Sequence, residues 1–186
     1  MIYLASTSPR RIELIKKITT DFKIISPTFD ESKISKSVNH LSLLESENKA
    51  KSVQNLVNFD DCIIACDTIV KYKDKVFLKP KNLDDAFKTL EFLSNKTHEV
   101  VSGYTIIYKG KVISKEVTTE VTFNKLSNDL INKYIHENNV LDKAGSYAIQ
   151  FDDKYHLISK IKGSLDNVIG FPTQEIRKDL ICLKII

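Results

Sequence analysis

The chain has 186 residues, 42% of them hydrophobic, and a formal charge of +4 from 28 basic and 24 acidic side chains. This length suits one domain of ordinary size with a real core, and the interspersed charges favour a small anionic ligand over nucleic acid. No 18-residue apolar run and no secretory signal pattern is present, and the odd set of three cysteines is typical of reduced thiols. We therefore expect a cytoplasmic protein with no membrane span.

The first seventeen residues carry the clearest local pattern. The apolar run Ile2–Ala5 predicts a strand, and the amphipathic run after Pro9 predicts a helix with Ser8 as its N-cap. Hydroxyls, backbone N–H groups and a helix start meet there, which favours anion binding. Arg10 and Arg11 follow in a chain with only three arginines, and arginine suits bidentate phosphate recognition. An ordinary strand–helix corner with solvated charges explains the same residues, so both interpretations stay open.

A β-α-β pattern continues from this opening. Phe22–Ser26 predicts a second strand, and the polar segment Thr28–Asn39 predicts a loop that either covers a ligand or is simply solvated. Glu31 lies in that loop. Leu41–Val57 predicts a helix whose broad apolar face is formed by Leu41, Leu44, Val53 and Leu56. Lys49 on this helix is either a surface lysine or a functional group.

A buried strand is predicted next, over Cys62–Ala65, and it delivers Asp67 and Thr68 at its C-terminal end. Ligands of open α/β sheets bind beyond the carboxyl ends of strands. A carboxylate at such a position is costly unless it is paired or binds a metal. Asp67 is therefore the best candidate for a general base or metal ligand, although a turn-capping role explains it equally well.

The second half of the chain is dominated by β patterns that argue for a mixed sheet. Ile69–Leu78 predicts a hairpin, Asn82–Leu93 a helix, and His98–Tyr108 with Lys111–Phe123 a long hairpin. The remaining elements are predicted as helices over Ser127–Glu137 and Thr173–Leu183, a strand over Tyr155–Ile161, a small-residue segment over Leu141–Gln150 and a turn-rich loop over Gly163–Pro172.

The charged candidates fit one kind of chemistry if they meet in space. Carboxylates hold Mg²⁺ or Mn²⁺, basic groups neutralise charge on a leaving pyrophosphate, and a carboxylate can activate water. No P-loop pattern is present, which argues against a kinase or motor ATPase. The residues concerned are Arg10, Arg11, Glu31, Lys49, Asp67 and Lys79.

The chain begins with the motif Leu4-Ala5-Ser6-Thr7-Ser8-Pro9-Arg10-Arg11. Further motifs follow it in order: Glu47–Ala50, Cys66–Val70, Lys79-Pro80, Leu93-Ser94, Thr97–Val100, Lys143–Gly145, Ile149-Gln150 and Gly163–Pro172. Together and in this order, these motifs resemble those of the Maf family of nucleoside triphosphate pyrophosphatases, also described as septum formation inhibitors.

The resemblance implies a single domain over residues 1–186 with a mixed α/β fold: a twisted sheet with flanking helices and two lobes around a cleft, similar to inosine triphosphate pyrophosphatases. It also implies hydrolysis between the α and β phosphates of a nucleotide, a divalent metal (Mg²⁺ or Mn²⁺), often a homodimer, and no nucleic-acid or membrane partner.

Site residues follow from the resemblance position by position. Asp67 resembles the family's proton acceptor and, with Glu31, its metal ligands. The phosphate-binding groups correspond to Ser6, Ser8, Arg11, Lys49 and Lys79. The positions that separate subfamilies correspond to Arg10, Thr68 and Gln150.

Those last three residues resemble the dTTP/UTP subgroup, which implies pyrimidine substrates, including modified ones. The chain departs from the family pattern at Ala148 and Phe151, which flank Gln150, and at Asn82. Two alternatives remain: a 7-methyl-GTP pyrophosphatase of the same family, and a non-catalytic nucleotide-binding regulator of cell division. Carboxylates that would repel phosphate without a metal favour the enzyme.

Overall fold

The computed structural model describes residues 1–29 and 40–186, and the chain divides into two compact units. The first contains Met1–Thr68, Ser102–Val117 and Gly170–Ile186; the second contains Ile69–Val101 and Thr118–Ile169. Within the described residues, no helix is both long and apolar enough to cross a membrane.

Seven strands and seven α-helices make up the described fold. The strands are β1 (Ile2–Ala5), β2 (Phe22–Ile25), β3 (Cys62–Tyr72), β4 (Lys75–Phe77), β5 (Thr97–Tyr108), β6 (Lys111–Phe123) and β7 (Ile158–Lys162). The helices are α1 (Pro9–Ile15), α2 (Leu41–Val53), α3 (Leu83–Leu93), α4 (Asn128–Glu137), α5 (Asp152–Tyr155), α6 (Leu165–Ile169) and α7 (Thr173–Cys182).

The strands form one mixed sheet in the order β2-β1-β3-β5-β6-β7, with β4 paired to β3. β1 runs parallel to β2 and β3, whereas the β3–β4 and β6–β7 pairs are antiparallel. The predicted hairpins are confirmed, because alternating β-branched residues on either side of short turns specify them locally.

Three details differ from the sequence-based expectation. β3 continues to Tyr72, so Asp67 lies inside the strand, just beyond the stretch that pairs with β1, instead of at the strand's end. Tyr155 belongs to the helical turn α5, so β7 begins at Ile158 and not at Tyr155 as predicted. The predicted loop before Pro172 contains the short helix α6.

The first unit has a core in which α2 packs on the sheet. Ala50 and Val53 contact Ala5, Ile63 and Ala65. The prediction for the other end of this helix face is wrong: the Leu56 side chain is 64% exposed. The helix instead buries four polar side chains, those of Ser42, Glu45, Ser46 and Lys49.

The second unit has a larger core built around aromatic rings. His98 is buried there, edge-on to Phe123 and Tyr147 at centroid distances of 4.8 and 5.4 Å, and its Nε2 lies 2.8 Å from the Tyr147 hydroxyl. Nδ1 of the same ring has no hydrogen-bond partner among the described residues. This histidine is therefore part of the core.

Burial of His98 makes the stability of the protein depend on pH. Burial lowers the pKa of His98 from 6.5 to about 4, so the unfolded chain binds a proton in that window and the native chain does not. We expect the free energy of unfolding to fall between pH 6.5 and pH 4 by up to about 3 kcal/mol from this group. Urea titrations across this range should show a shallower fall for His98→Asn than for the wild type. Equal slopes in the two proteins would contradict the assignment.

Candidate active site

The turn between β1 and α1 is closed by Ser6. The backbone N–H of Ser8 donates to Ser6 Oγ at 3.2 Å, and the Ser6 side chain is buried. Ser8 has the extended backbone of an N-cap and Pro9 occupies the first helical position, as predicted, but the Ser8 hydroxyl makes no cap hydrogen bond. Since α1 has only seven residues, its dipole adds little, and recognition of an anion here depends on side chains.

The Arg11 side chain is held by two hydrogen bonds to other parts of the chain. Its Nε donates to the carbonyl oxygen of Gly170 at 3.0 Å, and its Nη2 donates to Thr68 Oγ1 at 3.4 Å. Arg10, its neighbour, is half-buried on α1. Two bonds from different elements fix the plane of the Arg11 guanidinium, which is what bidentate phosphate recognition requires.

The Gly170 carbonyl is a shared acceptor. Besides Arg11, it accepts from Thr68 Oγ1 at 3.4 Å and from Cys66 Sγ at 3.5 Å. Gly170 has φ of +122°, a backbone conformation that L side chains rarely adopt. Burial raises the pKa of the Cys66 thiol to about 11, so it is a neutral donor and not a thiolate.

Asp67 and Lys49 form a buried ion pair. Lys49 Nζ on α2 donates to Asp67 Oδ1 on β3 at 2.5 Å, and both side chains are about nine-tenths buried. Lys49 is therefore not a surface lysine, and Asp67 is not a turn cap. A pair of this kind is weak evidence for stability, because desolvation opposes the attraction. Its burial beside Arg11, which also acts on the Asp67 charge, is better explained by function.

Glu45 is a second carboxyl at this pair that sequence patterns did not reveal. It lies one helical turn before Lys49, is buried, and hydrogen-bonds the Asp67 carboxylate. Ionised carboxylates only accept hydrogen bonds, so one of the two groups carries a proton. Burial alone raises the pKa of Asp67, but Lys49, the Glu45 bond and Arg11 outweigh it and lower that pKa overall. The lowered pKa of Asp67 favours its ionised form.

The predicted site residues Lys79 and Gln150 belong to the second unit, and both are exposed. In that unit the Gly145 N–H donates to the Leu78 carbonyl at 3.3 Å, which fixes the segment leading to Lys79. A Cβ on Gly145 would lie 2.8 Å from the Val70 side chain. The small-residue segment therefore permits the close approach of strand β3.

The carboxyls of Asp67 and Glu45 supply oxygen atoms, the donors that Mg²⁺ and Mn²⁺ prefer. Over residues 1–29 and 40–186, no group of three or more His, Cys, Asp or Glu could hold a metal ion. Glu31, the other predicted ligand, lies outside the described residues.

These observations define a class of protein: a mixed α/β fold with an anchored arginine after the turn between β1 and α1 and a buried lysine–carboxylate pair on α2 and β3. A family model described as Maf-like protein matches residues 1–182, and the chain belongs to this family. A dTTP/UTP pyrophosphatase of Clostridium acetobutylicum is 38% identical over 192 residues, which covers 97% of this chain and 96% of that protein. Its counterpart in Thermosipho africanus is 40% identical over 175 residues, 94% of this chain and 89% of that protein.

Two solved structures share the fold. The Ham1 protein of Staphylococcus aureus matches with a TM-score of 0.52 at 15% identity, covering 98% of both chains. A Ham1 protein of Coxiella burnetii matches with a TM-score of 0.50 at 12% identity, covering 97% of this chain and 98% of the other. Similarity at these identities is evidence for the fold alone, and it confirms the expected fold class.

Proposed function

We propose that this protein is a nucleoside triphosphate pyrophosphatase that hydrolyses dTTP and UTP to the monophosphate and pyrophosphate. The observation that carries the proposal is the ionised, buried Asp67 held by Lys49 beside the anchored Arg11. An ionised carboxylate next to two cations is unsuited to simple phosphate binding but suited to activating water at a phosphate. The names of the relatives, which cover nearly the whole chain, support the same activity.

Each site residue has a separate role in the proposed reaction. Asp67 takes a proton from water, the water oxygen bonds to phosphorus, and the bond to the bridging oxygen breaks, leaving its electron pair on pyrophosphate. Lys49 keeps Asp67 ionised before the reaction and stabilises charge during it. The phosphate contacts are assigned, by the family resemblance, to Ser6, Ser8, Arg11, Lys49 and Lys79.

A divalent cation, Mg²⁺ or Mn²⁺, belongs to this proposal. It would be held by Asp67, with Glu31 as its further predicted ligand, and Glu45 offers a carboxyl at the same place. When bound, such an ion supplies charge neutralisation for the triphosphate.

Substrate choice is assigned to Arg10, Thr68 and Gln150, which match the dTTP/UTP subgroup. Residues 1–186 act as one Maf-like domain in this proposal, with a nucleotide as the partner and a homodimer as the expected assembly. We also propose a cytoplasmic location, supported by three cysteines that form no disulfide, and retain septum formation as the cellular context suggested by the family's older name.

Pyrophosphate release from a panel of nucleoside triphosphates tests the activity. The panel contains dTTP, UTP, CTP, GTP, ATP and 7-methyl-GTP, each with Mg²⁺, with Mn²⁺ and with a chelator. We expect metal-dependent release, fastest from dTTP and UTP. Release concentrated on 7-methyl-GTP would keep the enzyme class and reject the assignment of the three specificity residues. Nucleotide binding with no release from any substrate would favour the non-catalytic regulator.

A further inference from the structure

Thr68 is placed where its hydroxyl serves Arg11. Thr68 Oγ1 accepts from Arg11 Nη2 at 3.4 Å, and it also lies 2.8 Å from Ser102 Oγ and 3.4 Å from the Gly170 carbonyl oxygen. A hydroxyl has one proton to donate. Since Arg11 donates to Thr68, the Thr68 proton points to Ser102 or to Gly170. The Thr68 hydroxyl is therefore part of a hydrogen-bond network that includes Arg11.

This network is built on rigid elements. Thr68 is on β3 and Ser102 on β5, which are neighbours in the sheet, and Ser102 is fully buried. The Thr68 hydroxyl is therefore held by a contact between two adjacent strands. Side chains fixed in this way hold a functional group more accurately than loop residues do.

The geometry of the guanidinium explains why such support matters. Arg11 has five N–H donors, and the bonds to Gly170 and Thr68 use one on Nε and one on Nη2. Both bonds lie on the edge of the guanidinium that carries Nε and Nη2, so Nη1 lies on the opposite side of the group. Loss of the Thr68 bond would leave Arg11 held at Nε alone and allow the plane to rotate, which weakens bidentate recognition of phosphate oxygens.

We propose that Ser102 and Thr68 are positioning residues that orient Arg11 toward the phosphates of the substrate, a role that Thr68 has in addition to its assigned part in substrate choice. The inference rests on the proposed function for the identity of the substrate. It assigns to Ser102 a role that no sequence pattern indicated, and it predicts weaker binding even of a phosphate ligand that carries no base.

The central variant is Thr68→Val, which keeps the shape of the side chain and removes the hydroxyl. We expect its kcat/KM for dTTP and UTP to fall by about 10- to 100-fold. Thr68→Ser keeps the hydroxyl and should stay within a few-fold of wild type. Ser102→Ala should shift kcat/KM in the same direction as Thr68→Val, by a smaller factor.

Thr97→Val is the matched control. Thr97 is on β5, like Ser102, and its hydroxyl lies 2.8 Å from that of Thr122 on the neighbouring strand β6. The substitution removes one member of an equivalent hydroxyl pair in the second unit. We expect kcat/KM and ligand binding to match the wild type.

Calorimetric binding of inorganic pyrophosphate, with Mg²⁺ present, separates this proposal from the proposed function, because it needs neither turnover nor a base. We expect Thr68→Val to weaken pyrophosphate binding about tenfold or more, and to have little further effect when Arg11 is already replaced by Lys. A changed ratio among nucleotides with unchanged pyrophosphate binding would overturn the proposal, as would a wild type that binds no pyrophosphate. If Thr68→Val fails to fold, Ser102→Ala with the Arg11→Lys background decides by the same criteria.

Discussion

Asp67→Asn is expected to lower turnover by about a thousandfold or more while leaving the protein folded. In the wild type, Lys49 Nζ lies 2.5 Å from Asp67 Oδ1. Asparagine has the same shape and still offers an oxygen to Lys49 Nζ, but it cannot accept a proton from water at neutral pH. The buried Lys49 charge keeps the amide oxygen as an acceptor, and the Glu45 carboxyl lies one helical turn away on α2. Steady-state pyrophosphate release and circular dichroism measure the two halves of this expectation.

Asp179→Asn provides the matched control for charge removal. Asp179 is also buried in the first unit, accepts from Lys115 Nζ at 2.6 Å and from the Tyr104 hydroxyl at 2.7 Å, and is not among the candidate site residues. We expect this variant to be less stable than the wild type and to keep its turnover. Wild-type turnover in Asp67→Asn would remove Asp67 as the proton acceptor. Equal losses in both variants would indicate a general effect of burying an amide.

Gly103→Ala is expected to cost about 3 kcal/mol or more in the free energy of unfolding. A Cβ on Gly103 would lie 2.3 Å from the backbone nitrogen of Leu43 and 2.3 Å from the carbonyl carbon of Ser42. These are backbone atoms in the first turn of α2, so the clash can be relieved only by moving the helix. Because α2 also carries Glu45 and Lys49, we expect turnover to fall together with stability.

Urea titration and pyrophosphate release on the same preparations test this coupling. Gly110→Ala is the comparison: it has φ of +74°, but its nearest neighbour is the Phe59 side chain at 3.6 Å, an ordinary contact. The Gly110→Ala substitution should lower the free energy of unfolding by about 1 kcal/mol because of backbone strain, and turnover should be retained. A loss of stability in Gly103→Ala no larger than that of Gly110→Ala would show that α2 does not pack as closely as described.

The sequence allowed the strands and most helices to be predicted because their signals are local. Ser127 and Asn82 cap their helices as expected, accepting from the N–H groups of Leu130 and Asp85. The family resemblance supplied Arg11, Lys49 and Asp67, and the structure brings Lys49 and Asp67 into contact.

The partners that support those residues could not be predicted in the same way. Ser102 and Gly170 approach Arg11 and Thr68 across separations of 34 to 159 residues, which no local pattern encodes. Glu45 stayed hidden for a different reason. A polar residue on a helix is expected to face solvent, and the sequence pattern places Leu56 on the apolar face. Only the packed structure reveals that Leu56 is exposed and that polar side chains of α2 are buried.

The bond between Arg11 and Gly170 also has a consequence for biosynthesis. The two residues are 159 positions apart, and ribosomes add about 5 to 20 residues per second, so Gly170 is made about 8 to 30 s after Arg11. During that interval the nascent chain holds the arginine without its carbonyl acceptor. The anchored guanidinium is thus among the last features to form during translation, and shortened chains that stop before Gly170 cannot assemble it.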